Sequence, residues 1–254
     1  MLLLCVLRVS AVAFLLMYLD QYTGRGVRIA VIDSGVHANH PHVGGVSGGL
    51  AIREDGSVGD DYVDRIGHGT AVTAAIKEKA PDADFIAIKI FERILATDVV
   101  TLVRAIDEAV RHGAHVVNLS LGTTDIQHRD ELRGAVARAN NRGALVVSAL
   151  EDGGVRWLPG TLEGVVPVQL DWACDREAYR VVHAGGRAII AASGYPRDIP
   201  GVPRERNLNG ISFAVANASG FVARAKESLG STSKPSAASV IGTLEAAAGD
   251  QTPG

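Results

Sequence analysis

The sequence predicts an α/β fold of three layers, in which a mostly parallel sheet carries helices on both faces. Short β-branched runs alternate with longer segments of helical periodicity along most of the chain, as crossover connections between parallel strands require. The chain has 254 residues, of which 47% are hydrophobic, and this is enough for one large core. In such folds the functional sites lie at the carboxyl ends of the strands.

Local signals place the elements along the chain. Asp98 is expected to cap the second helix, and Pro81, Gly113 and Gly143 follow the ends of the first three. The strands are expected at 27–32, 85–90, 115–121 and 144–149, with further strand structure within 157–168 and 184–194. The helices are expected at 68–79, from residue 98 to 113, and at 130–141, 212–228 and 236–248. Residues 171–180 and 195–207 are expected to be exposed.

The charge and the cysteine content argue against a nucleic-acid-binding protein and against a disulfide. A formal net charge of −3, a pI near 6.2 and no basic stripe predict that the chain has no nucleic-acid partner. Cys5 and Cys174 lie far apart in the sequence, which favours two isolated thiols over a disulfide. A monomer is expected.

Residues 1–19 form an apolar leader that Arg8 interrupts. Three interpretations of this leader stay open: a membrane anchor, an atypical signal peptide, or a mis-assigned start. Membrane association through residues 2–19 is one expectation, and a secreted or anchored protein is slightly favoured over a cytoplasmic one. The single functional domain is expected to span residues 20–250.

Three residues point to acyl-transfer chemistry. Asp33 stands at the carboxyl end of the first strand, and His68 lies between two glycines where the first helix begins. Ser212 opens an apolar helical segment, so free N–H groups and the positive end of the helix dipole surround it. A serine that attacks, a histidine that takes its proton, and an acid that orients the histidine form a catalytic triad. For Ser212 alone, the alternative is a helix N-cap.

Four short motifs carry a resemblance to a known family. Residues 33–35 read Asp-Ser-Gly, and residues 67–70 read Gly-His-Gly-Thr. Residues 117–122 read Val-Asn-Leu-Ser-Leu-Gly, and residues 208–212 read Leu-Asn-Gly-Ile-Ser. In this order the motifs resemble those of the subtilisin-like serine proteases, the subtilases, in which aspartate, histidine and serine follow one another along the chain. The resemblance extends over nearly the whole chain.

The resemblance implies a serine endopeptidase that cleaves peptide or protein substrates through an acyl-enzyme. Ser212 is then the nucleophile, His68 the general base and acid, and Asp33 the orienting carboxylate. Ser120, Leu121 and Gly122 would pair with an extended substrate as an added strand. No cofactor is needed for this chemistry. Subtilases often bind structural calcium, but the sequence locates no calcium site.

One position departs from the family pattern. Subtilases usually carry an asparagine after the strand that corresponds to 144–149, and its amide donates a hydrogen bond to the oxyanion. Alignment puts Asp152 at this place in the oxyanion hole, where an ionised carboxylate only accepts hydrogen bonds. The backbone N–H of Ser212 remains as a second donor. Loss of one such donor costs about 10²–10³ in turnover in subtilisin itself.

Three interpretations of Asp152 stay open. Burial and the neighbouring Glu151 keep the carboxyl protonated, so that it donates a hydrogen bond; the enzyme is slow but selective; or the chain binds peptides without cutting them. Glu151 replaces a glycine usual beside the pocket for the residue before the scissile bond. Its side chain either narrows that pocket, favours a basic residue there, or points to solvent.

Two groups of possible metal ligands are present. His37, His40 and His42 lie close in sequence but match no standard metal signature. The acidic loop with Asp61 and Asp64 has the oxygen ligands that calcium prefers. A solvated loop is the favoured interpretation, and no metal site is predicted.

Two alternatives to a general endopeptidase remain. One is a peptide-binding pseudoprotease, and the other is a dedicated maturation protease for one peptide. A maturation enzyme is expected to ignore casein and to cut one partner.

Overall fold

A mostly parallel sheet forms the middle layer of the molecule. The computed structural model describes residues 19–230 and 232–248. The strands are β1 Arg28–Asp33, β2 Gly48–Ile52, β3 Val58–Gly59, β4 Asp84–Lys89, β5 Val116–Leu119, β6 Leu145–Asp152, β7 Val155–Arg156, β8 Val165–Leu170, β9 Tyr179–Ala184 and β10 Arg187–Ala192. The helices are α1 His68–Lys79, α2 Val99–Arg111, α3 Arg129–Asn141, α4 Ile211–Ser228 and α5 Ala237–Ala248, with short 3₁₀ turns at Ile126–His128 and Arg204–Arg206.

The strand order places β1 near the centre of the sheet. Within the described ranges the order is β3-β2-β4-β1-β5-β6-β8-β10-β9, with β7 attached to β6. Neighbouring strands from β2 to β10 pair in parallel, while β3, β7 and β9 are antiparallel additions. The carboxyl ends of β1, β5 and β6 therefore meet at one edge of the sheet, where the predicted site residues lie.

Side chains of each central strand alternate between two cores. Val31 belongs to the core that α1, α4 and α5 cover, and Ile32 belongs to the core that α2 and α3 cover. Successive side chains of a strand point to opposite faces of the sheet, and both faces of these strands are buried. Nearly every residue of such a strand is therefore apolar, which explains the near-continuous apolar runs in the sequence. The predicted α/β fold with helices on both faces is confirmed.

Most predicted element boundaries agree with the structure, and the differences have local causes. Asp98 caps α2, because its carboxylate accepts a hydrogen bond from the N–H of Thr101 at 2.7 Å. Strand β6 continues to Asp152 instead of ending at residue 149, since a tight turn at 153–154 lets it pair with β7. The prediction that 171–180 is exposed is wrong at Cys174 and Arg176, which are buried.

Residues 1–18 of the predicted apolar leader, Cys5 among them, lie outside the described residues. The first described residue, Leu19, is buried, and its carbonyl accepts hydrogen bonds from the Arg224 guanidinium. None of the helices in the described ranges is both long and apolar enough to cross a membrane.

Candidate active site

Asp33 and His68 form the best-defined contact of the site. Asp33 ends β1 and is buried, and His68 is the first residue of α1. Nδ1 of His68 lies 2.8 Å from Oδ1 and 3.0 Å from Oδ2 of Asp33. A second bond, from the N–H of Ser34 to Asp33 Oδ1 at 2.7 Å, fixes the carboxylate. The carboxylate thus holds a proton on Nδ1 and leaves Nε2 as the basic nitrogen.

Glycines make this close approach possible. A Cβ atom on Gly69 would lie 2.2 Å from the carbonyl oxygen of Gly35 and 3.1 Å from Cβ of Asp33. A Cβ atom on Gly220 of α4 would lie 2.5 Å from Cβ of Lys79 at the end of α1. The contacts of 2.2 Å and 2.5 Å are shorter than packed side chains allow. The first helix can therefore reach β1 and α4 only because these two positions lack side chains.

The environment raises the pKa of His68 above its usual value near 6.5. Burial by itself would lower this pKa, but the hydrogen bond and the charge of Asp33, with a smaller contribution from Asp64, outweigh burial. The protonated ring is therefore stabilised in the place where a general base must hold a proton during the reaction.

Asp64 organises the loop that precedes His68. Its carboxylate accepts hydrogen bonds from the N–H groups of Ile66, Gly67 and Thr70 and from the hydroxyls of Thr70 and Ser34, at 2.7–2.9 Å. Burial would raise the pKa of Asp64, but these hydrogen bonds outweigh burial and lower it. Asp64 acts through protein donors and is not arranged as a calcium ligand.

The described ranges contain no group of three histidine, cysteine, aspartate or glutamate side chains that could hold a metal ion. His40 and His42 instead pack edge to face, with ring centroids 5.1 Å apart.

Ser212 lies in the first turn of α4. The helix begins at Ile211, and its N-cap is Gly210, which makes no side-chain capping bond. The N-cap alternative for Ser212 is therefore wrong, because Ser212 lies two residues beyond the cap. The N–H of Ser212 donates no hydrogen bond within the described residues. It is therefore free to donate to an oxyanion.

The start of α4 packs beside the histidine. The rings of Phe213 and His68 have centroids 5.6 Å apart. In the described part of the chain, no hydrogen bond joins Ser212 to His68. Such bonds are often long in a free site and tighten when substrate binds. The structure brings two predicted triad members into contact and places the third at the adjacent helix start.

The predicted substrate-binding segment follows β5 and is half-buried. Just beyond it, Thr123 exchanges backbone hydrogen bonds with Leu158 at 2.8 and 2.9 Å, and a Cβ atom on Gly122 would lie 2.3 Å from the Leu158 carbonyl oxygen. Backbone hydrogen bonds of Ser120, Leu121 and Gly122 are absent from the described ranges. These groups are free to pair with an extended peptide.

Asp152 lies on an exposed hairpin. It pairs with Val155 across a turn formed by Gly153 and Gly154, whose φ values are 58° and 82°. Positive φ at both turn positions is the geometry of a tight two-residue hairpin turn. Both Asp152 and Glu151 are exposed. The burial that one interpretation of Asp152 required is therefore not found.

A cavity of about 1020 Å³ is lined by residues other than the predicted site residues. It opens between the end of β2 and the segment 90–98, and Lys89 and Asp61 contribute to its wall. None of the predicted triad or substrate-pairing residues lines it. The cavity is therefore separate from the predicted catalytic cleft.

The fold and the site together define a class of α/β protein that carries an aspartate, a histidine and a serine at one edge of a parallel sheet. The chain belongs to the subtilase family, because the sequence profile of that family, Peptidase S8, matches residues 24–162. The match includes Asp33, His68 and residues 120–122, while Ser212 lies beyond it.

Individual relatives agree with this assignment. A thermostable alkaline protease of Halalkalibacterium halodurans is 32% identical over 224 residues, which cover 80% of this chain and 57% of the relative. Subtilisin Savinase of Lederbergia lenta is 28% identical over 217 residues, covering 81% of this chain and 78% of the relative. The structure of the prenylagaramide maturation protease PagA superposes with a TM-score of 0.63 at 24% identity, covering 87% of this chain and 83% of that one. The chain thus spans little more than half the length of the alkaline protease.

Sequence reasoning missed two contributors to the site. The sequence predicts that Asp64 is part of a solvated loop. Its position four residues before His68 instead places it at a helix start, where the free N–H groups need hydrogen-bond acceptors. The sequence identifies Asn118 only as part of a motif, whereas its amide is completely buried and hydrogen-bonded to two serines. No local sequence pattern predicts the hydrogen bonds of Asn118.

Proposed function

We propose that this chain is a serine endopeptidase that hydrolyses peptide bonds through an acyl-enzyme. The observation that carries the proposal is the paired contact of His68 Nδ1 with both carboxylate oxygens of buried Asp33, in a subtilase fold with Ser212 in the first turn of α4. An inactive relative has no chemical need for this pair.

The geometry supports a sequence of proton and bond transfers. Ser212 Oγ attacks the substrate carbonyl carbon while His68 Nε2 takes the hydroxyl proton, and Asp33 stabilises the imidazolium that results. The new oxyanion faces the free N–H of Ser212. The C–N bond then breaks as His68 gives its proton to the leaving amine. Water, deprotonated by the same histidine, releases the acyl group and restores Ser212.

Substrate binding follows from the unpaired backbone beside the site. The free N–H and C=O groups of residues 120–122 would form a strand pair with an extended peptide. The substrate is therefore a peptide or an unfolded protein segment. The mechanism uses no metal or organic cofactor, and association with a membrane through residues 2–19 remains a separate proposal.

Labelling with a fluorophosphonate probe, which reacts with activated serines, tests the proposal. We expect the native chain to be labelled, and Ser212→Ala and His68→Ala to abolish labelling while the fold is retained. If the folded native chain is not labelled at any pH between about 5 and 9, the peptide-binding alternative is correct.

Breadth of cleavage separates a general protease from a maturation enzyme. One structural neighbour is a maturation protease and another is a lanthipeptide protease, but at 24% and 21% identity these likenesses support the fold alone. Digestion of casein by a parallel sample of the native chain that has not met the probe would indicate a general endopeptidase. Labelling without casein digestion would favour a dedicated substrate.

A further inference from the structure

A chain of side-chain hydrogen bonds leads from the buried middle of α4 back to its first turn. The hydroxyl of Ser219 donates to Oδ1 of Asn118 at 3.0 Å, and Nδ2 of Asn118 donates to Oγ of Ser120 at 2.9 Å. Oγ of Ser120 then donates to the carbonyl oxygen of Ser212 at 3.3 Å. Ser219 and Asn118 are both 0% exposed. The hydrogen bonds therefore link β5 to α4, with the first bond in the core and the last at half-buried Ser120.

The direction of this chain depends on Ser219. When the Ser219 hydroxyl donates, the amide oxygen of Asn118 faces α4 and its NH₂ group faces Ser120. The single proton of Ser120 is then free to reach the Ser212 carbonyl. A flipped amide would instead accept that proton from Ser120, and the carbonyl of Ser212 would lose its donor. The structure has the first of these two amide orientations, the one that leaves the Ser120 proton for the Ser212 carbonyl.

We propose that Ser219 is a positioning residue for Ser212, acting through Asn118 and Ser120. This inference rests on the proposed function, because a positioned nucleophile has meaning only where Ser212 reacts. The bond from Ser120 holds the backbone of Ser212 against the end of β5, where the substrate carbonyl would lie. Small displacements of a reacting group are costly for the rate even when the fold is intact.

A second buried serine provides the matched control. Ser193 is 0% exposed like Ser219, but its hydroxyl has no hydrogen-bond partner within the described residues. Ser193→Ala therefore removes a buried hydroxyl without breaking a chain to Ser212. The two alanine variants differ in that connection.

The test measures the rate and saturation of fluorophosphonate labelling for the native chain, Ser219→Ala, Ser120→Ala, the double variant and Ser193→Ala. We expect Ser219→Ala to lower the maximal labelling rate on the order of tenfold and to leave the half-saturating probe concentration unchanged, because positioning affects the reacting geometry. Ser120→Ala should lower the rate at least as much. The double variant should equal Ser120→Ala alone, because Ser219 acts through Ser120. Ser193→Ala should label like the native chain.

Each outcome separates this inference from the proposed function. No labelling of the folded native chain overturns both. A labelled native chain with an equally fast Ser219→Ala variant overturns the inference alone. A Ser219→Ala effect that persists in the Ser120→Ala background also overturns it, because Ser219 would then act by another route. If Ser219→Ala does not fold, the rate of Ser120→Ala tests the inference instead. An undiminished labelling rate in Ser120→Ala would overturn it, because the bond from Ser120 to Ser212 would then have no effect on the reaction.

Discussion

The contact between Asp33 and His68 makes reactivity and stability depend on pH in opposite directions. A raised pKa in the folded state means that protonation of His68 stabilises the native chain. This stabilisation is fully present below the usual value near 6.5 and is lost as the pH rises through the raised value. The reaction needs the neutral ring. The chain should thus be most reactive above the raised pKa of His68, where protonation of the ring no longer stabilises the fold.

We expect the labelling rate of Ser212 to rise with pH through a single ionisation whose midpoint lies above 6.5. Asp33→Asn should move the midpoint to lower pH, because it removes the hydrogen bond and charge that raise the pKa. It should also slow labelling by about 10⁴-fold, because the amide favours the wrong tautomer. Labelling rates between about pH 5 and 9 measure both effects. An unshifted midpoint in Asp33→Asn would show that another group controls the profile.

Asp152 carries the second prediction at this scale. If it lies where the oxyanion forms, Asp152→Asn replaces an acceptor by a donor and should raise the labelling rate near neutral pH. The gain is bounded by the factor of about 10²–10³ that one donor supplies in subtilisin. Glu151→Gln is the matched control, because it removes an equal charge from the neighbouring exposed position of the same hairpin. Equal rates in both variants would place the oxyanion elsewhere.

Single residues also show how far the sequence alone leads. Asp33, His68 and Ser212 are predicted as site residues because each stands where a strand ends or a helix begins, and such ends have local signals. The partnership of Ser219 with Asn118 spans 101 positions and follows no sequence period. The exposure of Asp152 depends on pairing between β6 and β7, which the adjacent glycines allow but do not announce.

At the scale of elements, the site depends on how closely α1 approaches β1. Gly69→Ala should place a methyl group against the Gly35 carbonyl, which requires α1 to move outward. We expect a loss of about 1–3 kcal/mol in the free energy of unfolding. Labelling should slow as well, because His68 moves away from Asp33. Urea denaturation and probe labelling measure the two losses.

Gly242 in α5 is the control for this substitution. It also lies in a helix, but a Cβ atom there would meet no atom of the described residues within 4 Å. Gly242→Ala should raise the free energy of unfolding by about 0.5–1 kcal/mol, because alanine is the better helix former. Labelling should not change. A stable, fully reactive Gly69→Ala variant would contradict the view that helix approach sets the geometry of the site.

The elements themselves were largely predictable, for a physical reason. The first three helices carry glycine or proline stops, and α2 also has an aspartate cap, so their ends are encoded locally. Strands β2, β3, β7 and most of β9 were missed, because no local signal marks them and they become strands through pairing with a neighbour. The order of strands in the sheet likewise depends on contacts distant in sequence, although the parallel crossover pattern limits the choices.

At the scale of the whole molecule, the segment before β1 is joined to the carboxyl end of α4 far from the site. One carboxylate oxygen of Glu227, at the end of α4, accepts hydrogen bonds from the N–H groups of Thr23, Gly24 and Arg25 at 2.7–3.0 Å. These residues lead into β1. Asp33 and Ser212 lie at the opposite ends of the same two elements. The bonds therefore connect strand and helix at their ends away from the chemistry.

Glu227→Ala should separate stability from reactivity. Loss of a charged acceptor shared by three donors should lower the free energy of unfolding by about 1.5–3 kcal/mol. Under conditions where the variant is folded, labelling should stay within about twofold of the native rate, because effects of a distant site add independently. Glu245→Ala is the control, since its partner His183 is an exposed side chain and such pairs contribute about 1 kcal/mol or less. A large loss of labelling in folded Glu227→Ala would instead show that the anchored end of α4 sets the position of Ser212. The helix would then transmit strain along its whole length to the site.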